Sequence, residues 1–350
     1  MKTVNVNASG KYEVKIGSGL LRTLGNEVKA VCKAQTAAII SDSNVFPLYG
    51  ETAAKSLDEA GFRVVEFVFP AGENSKNGHI YLEILNFLAQ NHVTRTDCIV
   101  ALGGGVVGDM AGFVAATYLR GISYIQVPTT LLAAVDSSVG GKTAIDLPAG
   151  KNLAGAFYQP KLVLCDIDTL NTLPADIFRD GCAEVIKYGI LYDPELFSEL
   201  ERDGLSFDRE CVIARCVALK RDVVMEDEFD TGARMRLNLG HTIGHGVEAN
   251  SYFTVSHGKA VAIGMAIVSR SAANSGICDT QTKDRILSII CQFALPATTD
   301  CSAEQIFTSA LSDKKRMGGK VSLIIPERIG YCRIQSTDVA DLKSFIEAGL

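Results

Sequence analysis

The sequence predicts an α/β protein: a Rossmann-like domain with a parallel sheet, followed by a mainly α-helical domain. Over the first half of the chain, short apolar runs alternate with segments of helical spacing. After Thr172-Leu173-Pro174 most segments have helical spacing. The chain has 350 residues, of which 47% are hydrophobic, which is enough for two cores. We therefore expect one domain over residues 1–173 and a second over residues 174–350.

The strands of the first domain are predicted from apolar patterning. Tyr12, Val14 and Ile16 alternate with polar residues, as in a half-buried strand. Buried strands are expected at the four apolar runs 36–40, 62–69, 98–102 and 124–127. Ile80, Leu82, Ile84, Leu85 and Leu88 have helical spacing, which predicts a helix between two of these strands.

The second domain is predicted to consist mostly of helices. They are expected at residues 176–191, 194–201, 208–226, 239–249, 257–275 and 280–293. Two short strands are expected near the end, at residues 321–325 and 331–334.

Composition and charge exclude several classes of partner. The formal net charge of -6 argues against nucleic acid, which selects basic surfaces. The sequence contains no run of about 18 apolar residues, the length that a membrane span needs. Its first residues do not resemble a targeting leader. The ten cysteines are scattered singly without CxxC pairs, which is typical of reduced thiols. We expect a cytoplasmic protein that binds neither membrane nor nucleic acid.

A glycine-rich turn is predicted between the strand at 98–102 and a helix. Gly103, Gly105 and Gly108 have GxGxxG spacing, which allows close approach of backbone to a pyrophosphate. The turn follows several strand–helix units instead of the first strand, and no acidic residue lies about 20 positions beyond it. Asp42, at the end of the 36–40 strand, is a candidate for the ribose contact. A turn of purely structural function remains an alternative.

Three of the five histidines, His241, His245 and His257, fall within 17 positions. His241 and His245 are spaced i, i+4 and share a helix face. Imidazole and carboxylate ligands with an open position suit a catalytic metal, and spacing alone nominates this pair. The pair lacks the glutamate of HExxH, so it does not resemble a metalloprotease.

Single basic residues interrupt apolar or glycine-rich stretches of this acidic chain. In Gly140-Gly141-Lys142 and Gly150-Lys151-Asn152 the flanking residues predict loops that contact an anion. A locally basic pocket in an acidic protein suits a small phosphorylated, carboxylated substrate.

Seven sequence blocks, in order along the chain, resemble the 3-dehydroquinate synthase family. They are Gly103-Gly-Gly-x-x-Gly-Asp109, Pro128-Thr-Thr-Leu131, Val135-Asp-Ser-Ser-Val-Gly-Gly-Lys-Thr143, Gly150-Lys-Asn152, Gly181-Cys-Ala-Glu-Val-Ile-Lys-Tyr188, Leu237-Asn-Leu-Gly-His-Thr-Ile-Gly-His245 and His257-Gly-Lys-Ala-Val261. The resemblance implies that Glu184, His241 and His257 bind one divalent metal, zinc or cobalt. It also implies that His245 contacts substrate and is not a ligand.

The same resemblance implies the other site residues. Those that would bind NAD are Asp42, Asn44, Glu73, Lys76, Gly105, Val106, Val107, Gly108, Asp109, Thr129, Thr130, Lys142, Lys151, Thr169, Leu170, Asn171 and Thr172. Those that would contact substrate or take part in catalysis are Arg120, Asp136, Asn152, Lys187, Lys220, Arg234, Asn238, His245 and Lys314. Lys142 and Lys151 are candidates for contact with cofactor, substrate or both.

Two positions depart from the family pattern. Ala71 stands where the family usually has aspartate before Gly-Glu, and Lys259 replaces the glutamate of His-Gly-Glu-Ala-Val. Neither is an implied ligand, but Lys259 brings a positive charge within two residues of His257.

The resemblance implies a lyase reaction on 3-deoxy-D-arabino-heptulosonate 7-phosphate in the shikimate pathway of aromatic amino acid biosynthesis. Transient oxidation by NAD, β-elimination of phosphate, re-reduction, ring opening and aldol closure would give 3-dehydroquinate. A homodimer is expected from the family and from the base rate for soluble enzymes. The alternatives are another sugar-phosphate cyclase such as 2-deoxy-scyllo-inosose synthase, a metal-dependent polyol or alcohol dehydrogenase, and an inactive metal- or nucleotide-binding protein.

Overall fold

The computed structural model describes residues 1–251, 254–314 and 319–350, with the backbone alone over residues 311–314. The strands are β1 Lys2–Asn7, β2 Lys11–Gly17, β3 Thr36–Asp42, β4 Arg63–Phe69, β5 Cys98–Gly103, β6 Ser123–Pro128, β7 Lys142–Leu147, β8 Gly150–Phe157, β9 Leu162–Asp166, β10 Lys320–Arg328 and β11 Tyr331–Asp338. The α-helices are α1 Leu24–Val31, α2 Phe46–Glu59, α3 Gly78–Gln90, α4 Gly105–Thr117, α5 Ala175–Leu191, α6 Pro194–Asp203, α7 Arg209–Glu226, α8 His241–Asn250, α9 His257–Asn274, α10 Thr280–Gln292, α11 Ala303–Lys314 and α12 Val339–Glu347.

The chain divides into two compact units. The first comprises Met1–Leu173 and Arg209–Phe229, and the second comprises Pro174–Asp208 and Asp230–Leu350. Helix α7, which follows the predicted boundary in sequence, therefore belongs to the first unit.

The first unit is built on a seven-stranded sheet of order β1-β2-β9-β6-β5-β3-β4. All neighbouring pairs are parallel except β1 with β2. Strands β3, β5 and β9 are buried along their whole length, because both faces of the sheet are covered. The predicted parallel sheet is confirmed.

Helices cover both faces of this sheet. On one face, Leu24 and Val28 of α1 and Leu57 of α2 join a core with Ile39 and Val100. On the other face, residues of α3 and α4 pack against alternate residues of the same strands, including Ile84, Met110, Val114, Ile40 and Ile99. This arrangement is the Rossmann-like architecture that the alternating pattern predicts.

The second unit is mainly helical, with one antiparallel hairpin of β10 and β11. Its central helices α5 and α9 are apolar over most of their length, and most of their side chains are buried. Five of the six predicted helices of the second half lie in this unit, each within two or three residues of its expected bounds. Within the described residues, no helix is both long and apolar enough to cross a membrane.

Candidate active site

Five parallel strands of the first unit end at the same edge of the sheet, and predicted nucleotide-binding residues follow each of them. Asp42 ends β3, Glu73 and Lys76 follow β4, Gly105 to Asp109 follow β5, Thr129 and Thr130 follow β6, and Thr169 to Thr172 follow β9. The chain leaves β3 toward β4 on one side and returns to β5 on the other side. Such a reversal opens a crevice at the carboxyl ends of the strands, where ligands of open α/β sheets bind.

The glycine-rich turn lies at this reversal. A Cβ on Gly103 would lie 2.5 Å from Cγ2 of Val107, and a Cβ on Gly108 would lie 2.5 Å from Oε1 of Gln126. Glycine therefore allows α4 to pack closely on the sheet. No side chain caps the N-terminus of α4, which begins after Gly104. Its first N–H groups are thus suited to an anionic group.

Asp42 is held rigidly at the end of β3. Its Oδ1 accepts hydrogen bonds from the backbone N–H of Asn44 at 2.8 Å and of Val45 at 3.0 Å. The side chain is buried, whereas Asn44 is exposed. These two hydrogen bonds fix Oδ1, and because the carboxylate is planar they also fix the position of Oδ2.

Thr129 and Thr130 follow β6 beside the glycine-rich turn. The Thr129 N–H donates to Gly103 O at 3.0 Å, which joins the two strand ends. Thr129 is 2% exposed, and its hydroxyl has no hydrogen-bond partner among the described residues. A buried hydroxyl without a partner is uncommon, and a bound ligand would satisfy it. The Thr130 hydroxyl instead accepts from Ala133 N at 3.2 Å.

Lys76 is the centre of a buried polar cluster. Its Nζ lies 2.6 Å from Oδ2 of Asp109, 2.5 Å from Oδ1 of Asn152 and 4.0 Å from Oε1 of Glu73. Burial lowers the pKa of Lys76, but the charges of Asp109 and Glu73 outweigh it and raise that pKa above its ordinary value. Burial raises the pKa of the Asp109 and Glu73 carboxyls, against the effect of Lys76. Lys151 approaches the same Glu73 oxygen at 3.7 Å.

The segment after β9 forms a 3-10 helix over Ile167–Thr172. The Thr169 hydroxyl donates to Asp166 O at 2.7 Å, and the Tyr49 hydroxyl donates to Thr169 O at 3.0 Å. Thr169 and Leu170 are buried, whereas Asn171 and Thr172 are exposed. The first two therefore shape the segment, and the last two present side chains at its surface.

The prediction that Lys142 and Lys151 lie in loops is wrong. Both residues lie in an antiparallel ribbon, in which β7 pairs with β8 and Lys142 lies opposite Phe157. Gly150 pairs with Leu147 at the other end of the ribbon, so the two lysines lie near opposite ends. Of the flanking residues, Gly140 and Gly141 precede β7 with positive φ, as expected for a loop, whereas Gly150 and Asn152 lie within β8.

Asp136 and Lys220 form an ion pair within the first unit. Lys220, on α7, places Nζ 3.0 Å from Oδ1 and 2.5 Å from the backbone O of Asp136. Lys220 is buried, and its charge also lowers the pKa of Asp109, although burial of that carboxyl has the larger, opposite effect. Lys220 thus belongs to the same region as the Lys76 cluster.

Arg120 lies apart from these residues. It follows α4, which begins at the carboxyl edge of the sheet and crosses to the opposite edge before β6 begins. Arg120 is exposed, and both Leu119 (φ 50) and Arg120 (φ 68) adopt the left-handed conformation. The first unit brings Asp136, Asn152 and Lys220 to one region and does not bring Arg120 there.

In the second unit, Glu184, His241 and His257 form a compact cluster. Nε2 of His241 lies 3.5 Å and Nε2 of His257 lies 3.3 Å from Oε1 of Glu184. One ligand atom from each residue lies within 4.8 Å of the others. One carboxylate oxygen and two imidazole nitrogens at this separation fit a divalent zinc or cobalt ion.

Close packing through glycines brings these three ligands together, although they lie on different helices. A Cβ on Gly264 of α9 would overlap the carbonyl of Gly240, which directly precedes His241. A Cβ on Gly258 would overlap the carbonyl of Asp180 on α5. The helices can therefore approach only where these residues lack side chains.

The two histidines of the cluster have different proton affinities. Burial lowers the pKa of His241 to about 3. Burial also lowers the pKa of His257, but hydrogen bonds to Glu184 and Glu248 outweigh it and raise that pKa to about 10. The carboxylates of Glu184 and Glu248 therefore favour a positive charge on His257, whereas burial disfavours one on His241.

Lys187 and His245 adjoin the cluster. Lys187 Nζ forms an ion pair with Oε2 of Glu184, and both side chains are 1% exposed. His245 is exposed, and its ring centroid lies 5.6 Å from that of His241 and 6.2 Å from that of His257. His241 and His245 share a helix face, as their spacing predicts. Their spacing gives no information about Glu184, which lies close to His241 and His257.

The remaining predicted substrate residues lie in different environments of the second unit. Arg234 and Asn238 belong to the 3-10 helix Ala233–Asn238, and Arg234 is 2% exposed whereas Asn238 is exposed. The side chain of Lys314, at the end of α11, lies outside the described residues.

Sequence reasoning missed two carboxylates of these clusters. Glu248 is buried and places Oε2 3.4 Å from Nδ1 of His257. Its spacing to His241 and His245, i+7 and i+3, is a signal that could have identified it. Asp146 accepts the backbone N–H of Asn152 at 2.8 Å, and nothing in the local pattern distinguishes it from a solvated strand residue.

Known proteins resemble this chain along its full length. The family model for the N-terminal part of 3-dehydroquinate synthase matches residues 66–180, and the model for its C-terminal part matches residues 181–316. A 3-dehydroquinate synthase of Streptococcus suis is 42% identical over 352 residues, covering 99% of each chain.

Two solved structures share the fold. A 2-deoxy-scyllo-inosose synthase, solved with carbaglucose-6-phosphate, NAD+ and Co2+, has a TM-score of 0.89 at 25% identity and covers 100% of both chains. The 2-epi-5-epi-valiolone synthase of Streptomyces hygroscopicus, solved with NAD+ and Zn2+, has a TM-score of 0.89 at 27% identity, covering 99% of this chain and 97% of that one. Together with the family models and the Streptococcus suis relative, these matches show that the chain belongs to the 3-dehydroquinate synthase family.

Proposed function

We propose that this protein converts 3-deoxy-D-arabino-heptulosonate 7-phosphate into 3-dehydroquinate and phosphate, a step of the shikimate pathway toward aromatic amino acids. The observation that carries the proposal is the match to the Streptococcus suis 3-dehydroquinate synthase, 42% identical over 99% of both chains. The cluster of metal-donor side chains in the second unit supports it, because this reaction requires a divalent metal.

Glu184, His241 and His257 would hold one zinc or cobalt ion. Their donor set accepts both metals, and the two related cyclases were solved with Co2+ or Zn2+. When bound, the cation would lower the pKa of the substrate hydroxyl to be oxidised. Lys187 would hold Glu184 in position, since their side chains form a buried ion pair.

The crevice at the carboxyl edge of the first unit would bind NAD. Uncapped N–H groups at the start of α4 suit the pyrophosphate, and the Thr129 hydroxyl and the Asp42 carboxylate offer polar contacts on either side. These residues would hold NAD where it would supply reversible hydride transfer without being consumed. Lys76 would position Asp109 and Asn152 beside this crevice.

Basic residues would hold the anionic ends of the substrate. Lys220 and the buried Arg234 carry positive charge at positions of low solvent exposure, where charge-assisted hydrogen bonds to phosphate or carboxylate are strong. Such contacts would orient the substrate for the later, intramolecular steps. His245, exposed beside the metal ligands, would transfer protons.

We further propose a cytoplasmic homodimer. No disulfide joins any of the ten cysteines, all of which the structure describes, and unbridged cysteines suit a reducing compartment. Arg120 lies at the edge of the sheet opposite the crevice, which supports a contact with substrate in the site of a second copy. Cyclic dimers are the commonest symmetric assembly.

The test is a substrate assay with a trace of NAD. Purified protein is incubated with a divalent metal, catalytic NAD and 3-deoxy-D-arabino-heptulosonate 7-phosphate, while phosphate and NADH absorbance are followed together. We expect phosphate far in excess of NAD, no lasting NADH, and loss of activity on chelation. E184Q should abolish turnover, and E347Q, which changes an exposed glutamate of α12, should not.

The structural neighbours favour one alternative, in which the protein is a cyclase for a different sugar phosphate. The 2-deoxy-scyllo-inosose synthase has the same fold at a TM-score of 0.89. Turnover of glucose 6-phosphate, with none of the seven-carbon acid phosphate, would move the assignment to that class. Stoichiometric NADH without phosphate release would instead indicate a dehydrogenase.

A further inference from the structure

The two histidines of the metal-binding cluster are oriented in the same way. Each directs Nε2 toward Oε1 of Glu184, at 3.5 Å for His241 and 3.3 Å for His257. Each directs Nδ1 away from that oxygen toward a second acceptor. For His241 the acceptor is the backbone O of Leu239 at 3.1 Å, and for His257 it is Oε2 of Glu248 at 3.4 Å.

An imidazole that binds a metal through Nε2 carries its hydrogen on Nδ1. An acceptor at Nδ1 fixes this tautomer, orients the ring and makes Nε2 more basic. The acceptor for His241 is the backbone carbonyl of Leu239, so a side-chain substitution cannot remove it. Glu248 is the corresponding acceptor for His257, and it is a side chain.

Glu248 lies where such a function requires a fixed carboxylate. It is on α8, one turn beyond His245 and two turns beyond His241, and therefore on the same helix face. The residue is 4% exposed, so its carboxylate has little freedom to turn into solvent. A buried charge of this kind is stable only beside polar or positive partners.

We propose that Glu248 is a positioning residue for the metal centre: it accepts the Nδ1 hydrogen of His257 and so presents Nε2 of that ring to the metal. The inference rests on the proposed metal site. A different arrangement is also compatible with the donor atoms, because His245, Glu248 and His257 lie within 4.8 Å of one another as well. In that arrangement Glu248 would be a ligand. Nε2 of His257 faces Glu184, which favours the first assignment.

The experiment measures metal binding directly. Metal-free wild type, E248Q, E248A, E184Q and E347Q are titrated with Co2+ in competition with a chelator, and the visible absorption of the cobalt protein is recorded. Unfolding curves of the metal-free proteins identify any variant that does not fold. E347Q is the matched control, because it changes an exposed glutamate in the same unit.

We expect E248A to weaken the affinity for Co2+ about 10- to 100-fold, the range for loss of such an outer partner. E248Q retains an oxygen that accepts from Nδ1, so it should recover much of that affinity, and both variants should shift the cobalt spectrum. E184Q should bind far more weakly than either. An unchanged affinity and spectrum in E248A would overturn the proposal, and so would an E248Q defect as large as that of E184Q, which would indicate a direct ligand. Absence of cobalt binding by wild type would instead contradict the proposed metal site itself.

Discussion

Glu184 and Lys187 form an ion pair on one face of α5, and each side chain is only 1% exposed. A single buried carboxylate is costly, whereas one beside an ammonium group is stabilised. The pair explains how a carboxylate can be retained in the apolar interior of the second unit before a metal binds. We therefore expect the stabilising effect of Lys187 to differ between the metal-free and the metal-bound protein.

Replacing Lys187 with methionine should destabilise the metal-free protein. The substitution leaves the Glu184 carboxylate without its ammonium partner, at a cost of about 3–5 kcal/mol in the free energy of unfolding. A divalent cation can neutralise the same carboxylate, so saturating Zn2+ should reduce the loss. Urea unfolding with and without Zn2+ measures both values, and an equal loss in both conditions would contradict the assignment of Glu184 as a ligand.

Replacing Thr129 with valine should separate stability from cofactor affinity. The Thr129 hydroxyl is buried without a hydrogen-bond partner among the described residues, so its removal should leave the melting temperature unchanged or raise it. The affinity for NAD should fall, by about tenfold for one lost hydrogen bond of typical strength. Thr143 is the matched control: its hydroxyl donates to Ala156 O at 2.9 Å, so T143V should lower the melting temperature. An unchanged NAD affinity in T129V would remove Thr129 from the cofactor site.

Replacing Gly264 with alanine should weaken metal binding without changing a ligand. A Cβ there would overlap the carbonyl of Gly240, the residue before His241, so α8 and α9 would have to move apart. The His241–His257 separation would then increase, and we expect lower metal affinity together with a lower melting temperature. Gly276 has open space around its Cβ position but a positive φ, so G276A controls for a general glycine effect on stability. A G264A protein that binds metal like wild type would show that the cluster tolerates this displacement.

Asp97 gives a prediction about pH. Its carboxylate accepts hydrogen bonds from the N–H groups of Thr36 at 2.7 Å, Thr94 at 2.7 Å and Gln35 at 3.1 Å. Burial raises the pKa of Asp97, but these bonds together outweigh it and lower that pKa below its ordinary value. A lowered folded-state pKa stabilises the protein above the unfolded-state pKa of about 3.9, and this stabilisation is lost as the pH falls through the folded value.

We therefore expect D97N to be destabilised at pH 7 by about 1–3 kcal/mol, with the difference from wild type shrinking as the pH is lowered below about 4. Denaturant unfolding at a series of pH values measures this. D338N, which changes an exposed aspartate, provides the baseline. A D97N defect that stays constant across this range would mean that shape, and not charge, determines the function of Asp97.

The sheet of the first unit was predictable because its central strands are buried on both faces and therefore appear as continuous apolar runs, as in β3 and β5. The ribbon of β7 and β8 was not, because β8 is largely exposed and rich in glycine and alanine, a pattern also typical of loops. Helices α11 and α12 were missed as well, since no distinctive cap or long apolar stripe marks them.

The candidate metal site was only partly predictable from the spacing of residues along the sequence. His241 and His245 are neighbours on one helix, so a local pattern relates them. Glu184 and His257 lie on α5 and α9, and only close packing at Gly258 and Gly264 brings them to His241. Such contacts between helices have no local sequence signal, which is why the family resemblance was needed to select the ligands.

Arg120 provides a test of the proposed dimer. If it contacts substrate in the partner's site, R120A and E184Q should each be inactive alone, while mixed dimers should regain one complete site: the R120A chain supplies Glu184, and the E184Q chain supplies Arg120. The two variants are unfolded together, refolded as a mixture and assayed for phosphate release, with each variant refolded alone as control. Recovery of activity only in the mixture is the expected result. Two inactive variants without recovery would place Arg120 in the site of its own subunit, and an active R120A would exclude it from catalysis altogether.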